Sequence, residues 1–204
     1  MQGENFLKSI KSPKLFLVEG KDDVDFFVKL LEALSIKNCF VWSVEGKDDF
    51  GNKLKTLSKV PGFDRLTHFA IIRDKESDNA LESVQKILSD INIENIPSRN
   101  GEVIAGNPTV GIFILPGTNK GKMLEDLCLH LVQNDPAMRC VEEFACCISE
   151  LPYPPKNMSK ARLLAFLASR REPVNTIGVA ANKGYWNFDC PVIDELKEFL
   201  MYFK

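Results

Sequence analysis

Four short apolar runs punctuate the chain: Leu15–Val18, Cys39–Val44, Phe69–Ile72 and Val110–Leu115. They are near-continuous rather than alternating, the pattern of parallel strands covered on both faces. Each gives way to a polar loop and then to apolar positions at helical spacing. Behind the first come Val24, Phe27, Val28, Leu31 and Leu34, a single helical stripe. Behind the third come Leu81, Val84, Ile87 and Leu88, opened by Asn79 with Glu82 three residues on, which reads as a capping box. Met123, Leu124, Leu127, Cys128 and Leu131 follow the fourth, and the shorter connection after the second offers Leu54 and Leu57. Strand, loop and helix repeated in this way predict an α/β fold with a mostly parallel four-stranded sheet. The Asn-, Pro- and Gly-rich stretch from Asp90 to Pro108 predicts an exposed excursion with room for a small hairpin. From Ala137 onward the pattern is helical only, over Met138–Glu150, Lys160–Ser169 and Val192–Phe203, with Pro152, Pro154 and Pro155 at the joint.

In an open parallel sheet, ligands gather at the carboxyl ends of the strands. Those ends carry Glu19, Asp22 and Asp23 after the first run, Glu45, Asp48 and Asp49 after the second, and Asp74, Glu76 and Asp78 after the third. The fourth loop, PGTNKGKMLED, leads Glu125 and Asp126 into the first turns of a helix. The pentapeptide EGKDD thus occurs twice, at Glu19–Asp23 and at Glu45–Asp49. No His or Cys joins these acids. An oxygen-only set suits a hard divalent ion such as Mg²⁺, which commonly bridges carboxylates to phosphates. The expected chemistry is phosphoryl transfer or phosphodiester cleavage.

Composition narrows the alternatives. With 204 residues, 45% hydrophobic and 26% charged, the chain reads as a single globular domain with one sizeable core. Net charge is −2 and the pI about 5.8, so any phosphate-binding surface is local. No run approaches 18 apolar residues and the N-terminus lacks a signal-peptide stretch, so a cytoplasmic protein with no membrane association is expected. Six Cys without a CxxC pair, mostly in apolar stretches, read as buried reduced thiols. His68 and His130 lie near no nucleophile motif, which gives no sign of a His-based triad.

The segments LFLVEGKDDVDFFVKLL, FAIIRDKESD and GIFILPGTNKGKMLEDLCL together resemble the Toprim domain. That domain is shared by type IA and II topoisomerases, bacterial primases, nucleases of the overcoming-lysogenization-defect family and small ribosomal-RNA-maturing ribonucleases. The likeness is strongest to small prokaryotic Toprim-like families of uncharacterised function. It covers roughly residues 13–135 as a three-layer, Rossmann-like core, leaving 136–204 as a helical extension. The resemblance implies Glu19 as general acid/base or metal-contacting carboxylate, Gly20 for the tight turn into the helix, and Asp74 with Glu76 as the metal pair. Asp74-Lys75-Glu76 stands where the family usually carries Asp-x-Asp. Asp78 and Glu125 are implied as further ligands for Mg²⁺ or Mn²⁺. Gly20, Lys21, Gly46, Lys47, Lys120 and Lys122 are expected as substrate contacts, so the two EGKDD copies do different jobs.

Simpler roles compete at several positions. Asp22 and Asp23 read as helix N-terminal acids favoured by the macrodipole, and Asp78 as an N-cap. Glu125 has apolar helical neighbours in Leu129 and Val132, so it is expected to face partly inward. Lys156, Lys160, Arg162, Arg170 and Arg171 read equally as a solvated helix face or a nucleic-acid patch, and Trp186-Asn187-Phe188 as packing of the tail on the core. Two functions follow. One is a Mg²⁺-dependent nuclease acting on DNA or RNA; the other is a non-catalytic module binding nucleic acid or a partner such as an ATPase. Topoisomerase is disfavoured, because Tyr153, Tyr185 and Tyr202 lie outside the core motifs, and primase by the missing zinc-binding and polymerase modules.

Overall fold

A computed structural model of the chain describes residues 9–44, 50–75 and 78–204. The strands are β1 (Lys14–Val18), β2 (Cys39–Ser43), β3 (His68–Asp74), β4 (Val103–Ile104) and β5 (Thr109–Leu115). The helices are α1 (Lys21–Ala33), α2 (Phe50–Leu57), α3 (Ala80–Asp90), α4 (Leu124–Leu131), α5 (Met138–Ser149), α6 (Met158–Ala168), α7 (Ile177–Asn182) and α8 (Asp194–Met201). Short 3₁₀ turns occupy Phe63–Arg65 and Pro191–Ile193. Strand order is β2-β1-β3-β5-β4. The four long strands run parallel, and β1 lies between β2 and β3, as sharing a site between Glu19 and Asp74 requires. The expected sheet of four gains a fifth member: Val103 and Ile104 pair antiparallel with Gly111 and Val110. Two residues carry too little periodicity to announce a strand.

Alternation along the strands divides the core into two layers. Leu15, Leu17, Phe69, Ile71, Val110, Ile112 and Ile114 face one side, under α2 and α3. Phe16, Val18, Ala70, Ile72, Phe113 and Leu115 face the other, where they meet α1, α4 and the buried side chains of the tail. Phe199 and Phe203 reach the sheet because β5 offers Gly111 beneath them: a Cβ there would lie 2.7 Å from both rings. The tail is therefore half of the core's cover.

Local details depart from the pattern in instructive ways. The α1 stripe is centred on Phe26, Phe27, Leu30 and Leu31, all buried, since the helix is covered from a second side. There α7 backs onto it through Gly178, whose missing Cβ would meet the Asp25 Cβ at 2.7 Å, and the Phe188 ring meets Phe26 edge-on at 5.4 Å. Trp186 packs as expected, buried against Phe166 with its indole N–H donating to the Ile177 carbonyl at 3.0 Å. The Asn79–Glu82 capping box does not form. Asn79 has φ −97° and ψ 15°, outside the extended geometry that aims an N-cap side chain, and makes no cap bond. The cysteines also differ from expectation. Cys128 is buried, Cys39 and Cys190 are half-buried, and Cys140, Cys146 and Cys147 are exposed. α5 buries only its Val141 and Ala145 side, leaving these thiols and Phe144 outward.

Candidate functional site

Glu19 directly follows β1, and extending that strand's pairing of Leu17 with Ile71 by two residues sets Glu19 level with Arg73. Arg73, last but one in β3, is a buried cation. Its Nε lies 3.7 Å from Glu19 Oε2 and its guanidinium stands 4.9 Å over the Phe50 ring. It therefore holds the Glu19 carboxylate at the strand end. Gly20 follows with φ −104° and ψ 158°, an extended geometry open to any residue. Its glycine identity serves close approach instead: a Cβ there would lie 3.3 Å from the Asp23 carboxylate, which accepts the Gly20 N–H at 2.8 Å. The expected tight turn is thus a matter of space rather than of backbone freedom.

On the next strand, Asp74 Oδ1 accepts the Leu124 N–H at 3.0 Å, tying the end of β3 to the start of α4. One turn into α4, Asp126 accepts from the Lys122 and Met123 N–H groups at 2.7 and 3.2 Å and from the Ser159 hydroxyl. Asn157 caps α6 by accepting the Lys160 N–H at 2.9 Å and donates to Met123 Sδ at 3.3 Å. These bonds dock the start of α6 on the start of α4. The preceding loop is pinned by α8, where Glu195 accepts from the Thr118 N–H and hydroxyl, each at 2.8 Å.

The product is a cavity of about 280 Å³ with Glu19, Asp22, Asp23, Asp74 and Glu125 at its acidic side. Lys21 and Lys160 line it as well, together with Leu163, Leu164, Leu167, Asn175, Thr176 and Ile177. Burial, then repulsion by Glu19, Asp23 and Glu125, pushes the Asp74 carboxyl up to about 8. Burial likewise raises Asp23 to about 7, against the Gly20 N–H bond that favours its charged form. Glu125 and Glu19 add repulsion there. Five carboxyl groups thus crowd the site beside Lys21, Lys160 and Arg73.

Of the residues anticipated, Glu19, Gly20, Lys21, Asp74 and Glu125 come together here. Asp78 does not: it is exposed, forms an ion pair with Lys75 at 3.6 Å, and precedes the helix by two residues. Lys120 and Lys122 are exposed and do not line the cavity; the Lys120 carbonyl is engaged by His130 Nε2 at 2.8 Å. Glu76, Gly46, Lys47 and the rest of the second EGKDD lie outside the described residues. Residues to which the sequence reading gave simpler roles, or none, also emerge. Asp22 and Asp23 combine the helix-terminal role with a place in the cavity, Lys160 arrives from the basic tail, and Arg73 supports Glu19. For Arg73 the signal was a charge closing the apolar strand FAIIRD. Two further tail cations have structural partners: Arg162 with Glu142 at 3.1 Å, and Arg170 with Asp135 at 2.8 Å and over the Phe166 ring.

The donor chemistry fits Mg²⁺ or Mn²⁺: oxygen-only, anionic and partly desolvated. Among the described residues, no three His, Cys, Asp or Glu side chains form a ready-made metal cage. Mg²⁺ usually takes only one or two carboxylates and keeps water or phosphate oxygens for the rest, so a full cage is not what that ion requires. No helix among the described residues is long and apolar enough to cross a membrane.

Comparison with solved structures finds the same fold in the C-terminal region of the Burkholderia pseudomallei OLD protein, with a TM-score of 0.52 and 18% sequence identity. The match covers 95% of this chain and 98% of that one, so it includes the helical tail. The architecture is accordingly the α/β fold with a mostly parallel sheet and a helical extension that the sequence pattern predicted. No curated protein matches the chain. A family profile described as a protein of unknown function matches residues 13–203, and the chain belongs to that family, DUF3226.

Proposed function

We propose that the protein is a metal-dependent phosphodiester hydrolase, a nuclease acting on DNA or RNA. The observation that carries this reading is the meeting of Glu19, Asp23, Asp74 and Glu125, from β1, α1, β3 and α4, in one cavity beside Lys21 and Lys160. A structure related to an OLD protein's C-terminal region supports it. One or two of Glu19, Asp23, Asp74 and Glu125 would hold Mg²⁺ or Mn²⁺, which when bound would supply charge neutralisation for a phosphodiester. Arg73 fixes Glu19 so that its carboxylate serves as acid or base at the strand end. Asp74 is anchored through one oxygen by Leu124, which aims the other. Lys21 and Lys160 orient the phosphate.

The test is a cleavage panel of single- and double-stranded DNA and RNA with Mg²⁺ and Mn²⁺. Glu19→Gln removes a charge at constant volume and is expected to lower turnover by about 10²–10⁴-fold. Glu45→Gln, the same edit in the second EGKDD, is expected to cost little, because β1 separates the end of β2 from β3. Equal losses would place both loops at the chemistry. Absence of cleavage across the panel, with nucleic acid still bound, would instead favour a non-catalytic module that works with a partner such as an ATPase.

A further inference from the structure

The acidic cavity has an aliphatic wall. Leu163, Leu164 and Leu167 from α6 and Ile177 from α7 line the same space as the five carboxylates. Leu163, Leu167 and Ile177 are buried, but Leu164 is 40% exposed while lining the cavity. A large aliphatic side chain beside a charged floor gains by being covered with something apolar. Among the described residues, Lys21 and Lys160 are the only cations on the lining, against five carboxylates.

These features discriminate between forms of nucleic acid. A duplex keeps its bases stacked and turns its phosphates outward, and it is held chiefly by Lys and Arg contacts to them. Pressing an aliphatic wall against that surface would desolvate charge without recompense. An unpaired strand exposes base faces that apolar side chains can cover. At about 280 Å³ the cavity is at the small end of ligand pockets, suited to one unit of a polymer rather than to the cross-section of a duplex.

We infer that the cavity takes an unpaired nucleotide, its phosphate at the acidic floor and its base against the wall headed by Leu164, so that the substrate is a single strand or a frayed end. This rests on the phosphodiester reading of the floor. Short fluorescein-labelled DNA and RNA oligonucleotides, single-stranded and as blunt duplexes, are titrated with the full chain by anisotropy. Ca²⁺ replaces Mn²⁺ to hold off cleavage, and parallel reactions with Mn²⁺ follow cutting. Single strands are expected to bind about tenfold more tightly than duplexes of the same sequence. Leu164→Ser should remove most of that preference and Leu164→Met should keep it, with thermal unfolding verifying that both variants fold. Equal binding of duplex and single strand, an unchanged preference in Leu164→Ser, or no binding to any oligonucleotide would overturn the inference. A single-strand preference that depends on Leu164, without cutting of any oligonucleotide in Mn²⁺, would uphold it and overturn the hydrolase.

Discussion

Asp74 and Asp23 are half-buried carboxyls with other carboxyls for neighbours, and their stability cost has a definite sign. Both have an ordinary value of 3.8 and are raised in the folded chain, to about 8 and about 7. Below pH 4 the folded and unfolded chains both hold these protons. As pH rises, the unfolded chain releases them first, so their contribution to stability falls from about pH 4 and levels off once the folded groups ionise near 7 and 8. The metal-free protein is therefore expected to melt at progressively lower temperature between pH 5 and 8.5, as far as these two groups govern it. Asp74→Asn keeps an acceptor for the Leu124 N–H and removes the charge. It should flatten that decline and raise the melting temperature at the alkaline end, at about 2–4 °C for each kcal/mol recovered at this chain length. Calorimetry in EDTA at several pH values checks this, and an unchanged slope in the variant would contradict it. Adding Mn²⁺ should stabilise the wild type more than Asp74→Asn, because a ligand that binds only the folded chain raises its stability by mass action.

At the scale of elements, α7 is the piece whose placement most depends on one position. Gly178 brings it against α1, within 2.7 Å of the Asp25 Cβ and 3.0 Å of the Asp22 carbonyl for any added Cβ. Gly178→Ala forces the two helices apart and should cost about 1–3 kcal/mol. It also displaces Thr176 and Ile177 from the cavity wall, so cleavage should fall even where the variant remains folded. Unfolding curves together with cleavage rates separate the two effects, and full activity with full stability would show that the contact yields freely. The same contact explains what could be read in advance. The long strands were legible because strands covered on both faces are continuously apolar, and β1 had to neighbour β3 for Glu19 and Asp74 to meet. Six residues of α7 hold too few turns for a period. Asp23 looked like an ordinary helix-terminal acid because it is one; its second role depends on Glu125 and Asp74 arriving from distant elements. Lys160 was one of several tail cations, and only the docking of Asn157 and Ser159 on the start of α4 sends it to the cavity.

For the whole molecule, the question is whether residues 136–204 decorate the α/β core or complete it. The sheet face bearing Phe16, Val18, Ile72 and Phe113 shares one apolar cluster with Leu163, Phe166, Trp186, Phe199 and Phe203. Phe203 meets Phe16 edge-on at 5.3 Å, and its carbonyl accepts the Lys14 ammonium at 2.7 Å, so the chain's far end closes on its first strand. The site depends on the same closure, since α6 brings Lys160 and Leu164 while Glu195 of α8 pins the loop before α4. A chain ending at residue 135 would leave in water the part of that face now under Phe199 and Phe203. It should lack the cooperative unfolding and near-ultraviolet dichroism of the full protein and should bind hydrophobic dye. Phe203→Ala tests the same point without truncation, with an expected loss of about 3–5 kcal/mol, the range for a fully buried Phe. A shortened chain that unfolds cooperatively, or a Phe203→Ala loss below about 1 kcal/mol, would make the tail an appendage. The expected result makes it the second half of both the core and the cavity.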